Sequence, residues 1–166
     1  MAPIHPLVWI AALAFQIINC TCIGGWLGGY GPTSKQEWDE RMIYIQIGTM
    51  LFVAGLLGNI YHEEILRDIR RSSKDGQSKD EKSGKKYEIP EGALFDYVFY
   101  PHYLCEWIEW IGFWIIGGRA CLPAQNFVIN EITTMGPRAL SGKRWYLKKF
   151  GAEKVGNKKA AIPGLL

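Results

Sequence analysis

Two long stretches without a charged residue constrain this chain more than any other feature of its sequence. They cover residues 7–30 and 42–61, and each is long enough to cross a hydrocarbon layer of about 30 Å as a helix. A soluble helical protein also buries apolar helices, but such helices are usually amphipathic, whereas these two are apolar on nearly every face. The sequence therefore predicts transmembrane helices.

Two weaker apolar segments follow, at about 94–118 and 120–135, and Gly136-Pro137 is the expected end of the second. Both segments contain glutamates. A carboxylate facing lipid is unfavourable, so in an embedded helix it must point into the bundle or into a wet cavity. We therefore predict an all-α fold, a polytopic membrane helix bundle of about four transmembrane helices that forms one domain over residues 1–166.

The basic residues are distributed very unevenly between the two sides of these predicted helices. Sixteen of the 19 Lys and Arg residues lie on one side, and the other side holds Lys35, Arg41 and Arg119. Because basic loops remain in the cytosol, we predict that both termini are cytosolic. The basic face suits anionic lipid, nucleic acid or a phosphate-bearing ligand, and charge alone does not choose among them. Residues 71–86 contain no apolar residue and are expected to form a flexible cytosolic loop.

Polar residues recur at helical spacing where the second apolar stretch ends. They are separated by four, four and three residues and share one helix face: Asn59, Glu63, Arg67 and Arg70. Arginine forks bind phosphate, while amide and carboxylate groups hydrogen-bond ribose or carboxamide, so this face suits a dinucleotide. The same spacing also suits a juxtamembrane arginine cluster that contains a Glu–Arg ion pair.

Two further polar groups are expected at the same end of the bundle. One combines His102, Glu106 and Glu109 on a single helix face, where an ion pair with a neighbouring Arg is the structural alternative. The other follows the fourth predicted helix and contains Arg138, Lys143, Arg144 and Tyr146. No Gly-rich loop follows a predicted strand, so a Rossmann or P-loop fold is not indicated. The four cysteines all lie in predicted spans, which indicates neither a disulfide framework nor a metal site.

Five blocks of sequence, in order, resemble the C-terminal part of the steroid 5α-reductase family between about residue 24 and residue 166. They are Asn59-Ile60 with Ile65-Leu66-Arg67, then Ile89-Pro90-x-Gly92-x-Leu94-Phe95, Glu106-x-x-Glu109-Trp110-Ile111-Gly112, Gly136-Pro137-Arg138-Ala139, and Lys159-Ala160-Ala161-Ile162-Pro163. The resemblance implies an all-helical oxidoreductase of the endoplasmic reticulum membrane that uses NADPH to reduce a carbon–carbon double bond conjugated to a ketone.

The expected partners are the lipid bilayer and a hydrophobic enone lipid, a 3-oxo-Δ4 steroid or a sterol-like compound, with no nucleic acid. Related reductases act on enoyl-CoA or polyprenol intermediates, and a non-catalytic membrane protein that retains the scaffold also fits the pattern. In the family, the acid and the tyrosine that polarise the substrate carbonyl lie in earlier helices. The resemblance thus implies that the catalytic groups lie outside these residues. Met1 is then expected to be an internal start, the start of a truncated gene model, or the start of one half of a split enzyme.

The resemblance also carries eight cofactor-binding positions onto this sequence: Asn59, Glu63, Arg70, Tyr87, His102, Glu106, Arg138 and Tyr146. Three of its features depart from the family pattern. Glu63 replaces the family's Asp, and His102 stands where the family usually has Asn. Residues 141–143 replace a stretch that is often rich in His.

Overall fold

The computed structural model describes residues 5–72 and 87–165, and it is built from helices. In chain order they are α1 (Pro6–Gly25), a π-helical turn (Trp26–Tyr30), α2 (Lys35–Asp39), α3 (Met42–Ser72), a 3-10 turn (Ala93–Asp96), α4 (Pro101–Gly117), α5 (Leu122–Phe150) and α6 (Ala152–Val155). Within the described ranges, β pairing is limited to a bridge between Val98 and Lys159. The predicted all-α bundle is confirmed.

Two segments are long and apolar enough to cross a membrane, namely Pro6–Tyr30 and Met42–Arg71. In their most apolar windows, none of the first and 11% of the second is buried. The core helix of a soluble protein would be mostly buried, so the outward apolar faces of α1 and α3 agree with the predicted membrane helices. Length and composition thus support two of the four predicted spans.

Helices α3 and α4 pack backbone against backbone through glycines. A Cβ atom on Gly48 would lie 2.5 Å from the carbonyl oxygen of Gly112, and one on Gly55 would lie 2.5 Å from the backbone nitrogen of Glu109. The residue numbers rise along α3 as they fall along α4, so the two helices are antiparallel. Small residues that allow such close approach are the usual device of helix packing in membranes. Helix α4 therefore runs along the apolar length of α3.

The third predicted span begins later than the sequence suggested. Residues 94–96 belong to the 3-10 turn, and α4 begins at Pro101. Proline suits this position because the first turn of a helix has no intrahelical use for its backbone N–H. With 17 residues, α4 is also too short to qualify as a span by itself.

The prediction that the fourth helix ends at Gly136-Pro137 is wrong, since α5 continues through Pro137 to Phe150. A residue before proline normally avoids helical geometry because its Cβ clashes with the proline ring, and Gly136 has no Cβ. Gly136 and Ala139 are also buried, so packing holds the helix together on both sides of the proline. Helix α5 therefore carries Tyr146 on the same continuous element as Arg138.

The C-terminal tail returns to the start of α4. The N–H of Phe99 donates to the carbonyl of Lys159 at 3.0 Å, and the N–H of Tyr100 donates to the carbonyl of Ala160 at 2.9 Å. Ala160 and Ala161 are fully buried against α4 and α5. The tail is therefore part of the core.

The segment 71–86, predicted as a flexible loop, falls mostly outside the described residues. Residues 71 and 72 are an exception, because they form the last turn of α3. The helix thus extends two residues beyond the predicted boundary of the loop.

Candidate functional site

Several of the site residues predicted from the sequence lie where α3 ends and α4 begins, beside the second half of α5. Two contacts join these elements. The Sγ of Cys105 on α4 lies 3.9 Å from the Nδ1 of His62 on α3. The ring of Tyr146 on α5 stacks on that of Phe99, just before α4, with the centroids 4.5 Å apart. Side chains that are distant in sequence therefore meet at one end of the bundle.

Asn59 and Glu106 form the polar contact between α3 and α4. The amide nitrogen of Asn59 donates to the Oε2 of Glu106 at 3.5 Å, and both side chains are half-buried. Glu63 and Glu131 are close enough to repel Glu106 electrostatically. Because repulsion between carboxylates grows as water is excluded, this cluster favours a bound group that donates hydrogen bonds to it.

The arginines near the end of α3 have different partners. Arg67 pairs with Glu64 at 3.0 Å, and Arg71 pairs with Glu64 at 2.8 Å and with Asp68 at 3.2 Å. The Glu–Arg ion pair of the alternative interpretation therefore exists, but Glu64 makes it instead of Glu63. Among the described residues Arg70 has no ion pair, and its charge acts on the imidazole of His102. Arg70 is thus the arginine of this turn that has no carboxylate partner in the described chain.

His102 lies in the first turn of α4 and is 7% exposed. Its Nδ1 is buried without a hydrogen-bond partner in the described part of the chain. The ring is held among aromatic rings, 4.6 Å from Tyr103 and 5.7 Å from Tyr100 between centroids. A buried nitrogen without a partner is costly, so His102 is suited to hydrogen-bond a ligand.

His62 is a site residue that the sequence analysis did not identify. It is 4% exposed, its Nδ1 lies 2.6 Å from the carbonyl oxygen of Gly58, and its Nε2 has no partner among the described residues. The ring of Phe95 lies near both histidines, 5.5 Å from His62 and 6.4 Å from His102. A histidine at the end of an apolar helix, four residues after a glycine, was the sequence signal that could have identified this position.

A row of aromatic rings connects the segment before α4 with the end of α5. Tyr87 contacts Trp145 at 5.1 Å, Trp145 contacts Tyr146 at 5.0 Å, and Tyr146 stacks on Phe99. The Nζ of Lys149 lies 4.2 Å from the centroid of the Tyr87 ring. Tyr87 and Tyr146, two of the cofactor-binding positions that the resemblance implies, thus belong to one aromatic wall, which the ammonium group of Lys149 also contacts.

Two tyrosines at this end of the bundle, Tyr100 and Tyr146, are partly buried. Burial raises the pKa of Tyr146, and it raises the pKa of Tyr100 to about 12, with smaller contributions from Tyr146 and Tyr103. The Tyr100 ring also packs so closely on Gly142 that a Cβ at that position would overlap its hydroxyl. Both phenols therefore remain O–H donors at physiological pH.

Arg138 is exposed on α5, two helical turns before Tyr146. Among the described residues it makes neither a hydrogen bond nor an ion pair. Its neighbour Ala139 is fully buried against the C-terminal tail, which fixes this part of α5. No contact joins Arg138 to Arg70, so their approach to a common ligand stays a prediction.

A cavity of about 680 Å³ opens beside this end of the bundle. Its wall includes Tyr87, Phe150 on α5, and Ile65, Asp68 and Ile69 on α3. The volume falls within the usual range of small-molecule sites. Among the eight cofactor-binding positions that the resemblance implies, Tyr87 is the one that lines this cavity in the described part of the chain.

Comparison with known proteins places this arrangement in context. The 3-oxo-5-alpha-steroid 4-dehydrogenase family matches residues 2–166, which extends the expected match from about residue 24 almost to the start of the chain. An uncharacterized protein of Schizosaccharomyces pombe is 40% identical over 171 residues, which cover 100% of this chain and 59% of the relative.

Two named relatives are also similar. Steroid 5-alpha-reductase DET2 of Solanum lycopersicum is 31% identical over 94% of this chain and 55% of its own length. The 3-oxo-5-alpha-steroid 4-dehydrogenase 2 of Homo sapiens is 36% identical over 86% of this chain and 52% of its own length. The chain therefore spans between half and three-fifths of the length of these relatives.

Proposed function

The chain belongs to the 3-oxo-5-alpha-steroid 4-dehydrogenase family, and on that premise we propose that it contributes the NADPH site of an enzyme that reduces the C=C bond of an enone lipid. The proposed substrate is a 3-oxo-Δ4 steroid or a sterol-like enone, in line with the names of the relatives. The proposed location is the endoplasmic reticulum membrane, with the site at the cytosolic end of the bundle.

The observation that carries this proposal is that Asn59, Glu106, His102 and Arg70 lie together where α3 packs on the start of α4. Asn59 and Glu106 meet across α3 and α4, while the buried Nδ1 of His102 has no partner among the described residues. Arg70 and Arg138 have no carboxylate partners in the same ranges. Unpaired arginines suit a polyphosphate, and orphaned polar atoms suit a ligand rich in hydrogen-bonding groups.

Each group has a role that its chemistry allows. Arg70 and Arg138 bind phosphate through charge-assisted hydrogen bonds, which planar guanidinium groups make well. Asn59 and Glu106 bind ribose hydroxyl or carboxamide groups, because together they offer a donor and an acceptor. A bound NADPH supplies the hydride, and the protein supplies binding, orientation and the exclusion of water.

The remaining positions shape the site. Tyr87 and Tyr146 form an aromatic wall against which a ring of the ligand can pack. His102 offers its unpartnered nitrogen to the ligand. Glu63 adds a carboxylate beside Glu106, where a hydrogen-bond donor on the ligand relieves the repulsion between them.

The cofactor assignment is tested by measuring NADPH affinity with the chain in detergent micelles, from energy transfer between tryptophan and the nicotinamide. Arg70→Ala and Arg138→Ala are each expected to raise the Kd by about ten-fold or more, because each removes a charge-assisted hydrogen bond. Arg71→Ala is the matched control, since Arg71 already pairs with Glu64 and Asp68. We expect it to change the Kd less than about two-fold. Unchanged affinity in both test variants would refute the assignment.

The substrate class is tested separately by following NADPH oxidation. Because the catalytic groups are expected outside these residues, membranes that contain the chain together with the N-terminal half of a family member are supplied in turn with a 3-oxo-Δ4 steroid, an enoyl-CoA and a polyprenol-derived enone. The chain without that half is the control and is expected to oxidise no NADPH. We expect oxidation with the steroid to exceed that with the other two. Faster oxidation with enoyl-CoA or the polyprenol compound would replace the steroid assignment.

A further inference from the structure

The end of the bundle opposite the proposed cofactor site holds a second cavity, of about 450 Å³. It lies between the start of α3 and the turn that joins α4 to α5. Its lining is basic and aromatic and consists of Arg41, Tyr44, Trp114, Ile115, Gly118 and Arg119. Neither the family resemblance nor the proposed function uses any of these residues.

The two arginines of this cavity have no anionic partner. Within residues 5–72 and 87–165 the ion pairs do not include Arg41 or Arg119. The Nε of Arg41 is buried and makes no hydrogen bond in the described chain. Glu37 and Glu40 line a neighbouring cavity that also touches Arg41, but both stay beyond ion-pair distance of it. Because two guanidinium groups lie beside one cavity without a counter-ion, this cavity is suited to bind an anion.

The N-termini of α3 and α5 and the C-terminus of α4 all lie at this end of the bundle. Arg41 is the residue that precedes α3, and its carbonyl accepts the N–H of Ile45 at 3.0 Å. Helix α5 begins nearby at Leu122, and neither α3 nor α5 has an acidic residue in its first turn. The positive ends of the α3 and α5 dipoles favour an anion, whereas the negative end of α4 at Gly118 opposes one, so the charge of the two arginines decides the polarity of the cavity.

Gly118 shapes the cavity around Arg41. It ends α4 with φ +77°, a conformation that favours glycine. A Cβ at this position would overlap the guanidinium group of Arg41. The turn thus leaves room for an arginine that a larger residue would displace.

The surroundings indicate a ligand from the membrane. Tyr30 and Tyr44 are exposed at this end of the bundle, beside the partly buried Trp38 and Trp114, and such belts of Trp and Tyr mark the interface between lipid and water. Phospholipid phosphates occupy this depth, and the apolar part of the cavity wall suits a glycerol backbone or the start of an acyl chain. We propose that Arg41 and Arg119 bind the phosphate group of a membrane phospholipid at this site.

The test uses the full chain, purified in mild detergent and examined by native mass spectrometry after incubation with phosphatidylglycerol. We expect one phospholipid to remain bound to the wild type. Arg41→Gln and Arg119→Gln are each expected to reduce retention by about ten-fold or more, because each removes a charge-assisted hydrogen bond. Arg119 is exposed, so its replacement leaves the packing intact and the result does not depend on the folding of the Arg41 variant.

Lys35→Gln is the matched control, since Lys35 lies on the same side, has a side chain that is 89% exposed and pairs with Asp39. We expect this variant to retain the lipid within about two-fold of the wild type. An equal loss in Lys35→Gln would show a general charge effect and overturn the proposal. Equal retention of diacylglycerol, which lacks phosphate, would do the same. Displacement of the lipid by millimolar inorganic phosphate would show that the site takes free phosphate and would refute the lipid assignment.

Discussion

Replacing Gly55 with alanine tests the contact between α3 and α4 on which the proposed cofactor site depends. The added methyl carbon would lie 2.5 Å from the backbone nitrogen of Glu109, 2.6 Å from the carbonyl oxygen of Cys105 and 2.8 Å from the Cα of Glu109. Ordinary contacts of a Cβ begin at 3.4 Å. All three obstacles belong to or adjoin the backbone, so no side-chain rotation relieves them. The two helices must therefore separate, by about 1 Å.

The expected loss of stability follows from two opposing effects. Overpacking of this kind typically costs about 1–3 kcal/mol. Alanine is the better helix former and returns up to about 1 kcal/mol. We therefore expect the free energy of unfolding to fall by roughly 1–2 kcal/mol. Since Asn59 and Glu106 are already 3.5 Å apart, the same separation should break their hydrogen bond and weaken NADPH binding.

Two other glycines provide graded controls for this variant. A Cβ on Gly24 would meet nothing within 4 Å, so Gly24→Ala should keep or slightly raise the stability. A Cβ on Gly58 would meet the Sγ of Cys105 at 2.8 Å, and that side chain can rotate away. Thermal unfolding in one detergent, followed by tryptophan fluorescence, should rank the midpoints as Gly24→Ala, then Gly58→Ala, then Gly55→Ala. If Gly55→Ala unfolds at the same temperature as Gly24→Ala, α3 and α4 are not in backbone contact.

Three further predictions concern the tail, the tyrosines and the topology. Ala161→Leu overfills a fully buried site and should lower the free energy of unfolding by about 1–3 kcal/mol, whereas Leu165→Ala, at a side chain that is 75% exposed, should change it by less than about 0.5 kcal/mol. The pKa of Tyr100 is raised from about 10 to about 12 in the folded chain. The contribution of Tyr100 to the free energy of unfolding is therefore complete below pH 10 and is lost as the pH rises from about 10 through about 12. Tyr100→Phe should therefore flatten the fall of the unfolding midpoint over that range, and an unchanged slope would show that Tyr100 is not the group responsible. Glycosylation tags added at either terminus should remain unmodified, because both termini are predicted to be cytosolic, and modification of one tag would reverse that orientation.

The sequence alone was sufficient to identify the class of fold and the family. Uncharged stretches of 20 residues or more predict apolar helices from local composition, and two such helices are present. The order of the five motif blocks predicted the family, which matches nearly the whole chain. The positions of the polar clusters also predicted that Asn59 and Glu106 lie at the same end of the bundle. These features depend on residues that are close in sequence, so they can be recognised without a structure.

Contacts between distant residues decided the rest. Gly136-Pro137 carries a local signal for the end of a helix, but burial of Gly136 and Ala139 keeps α5 continuous to Phe150. Spacing allowed Arg67 to pair with Glu63, and the side-chain positions in three dimensions select Glu64 instead.

Contacts between residues distant in sequence also determine the structure at both ends of the bundle. Arg41 and Arg119 are 78 residues apart, and the predicted topology placed them only on the same side of the spans, whereas the antiparallel course of α3 and α4 brings both beside one cavity. Likewise, the pairing of the C-terminal tail with residues 97–100 required the whole chain to fold back on itself. A local pattern reports the preference of each segment, whereas the free energy of burial depends on which segments meet, and this is settled only in the tertiary structure.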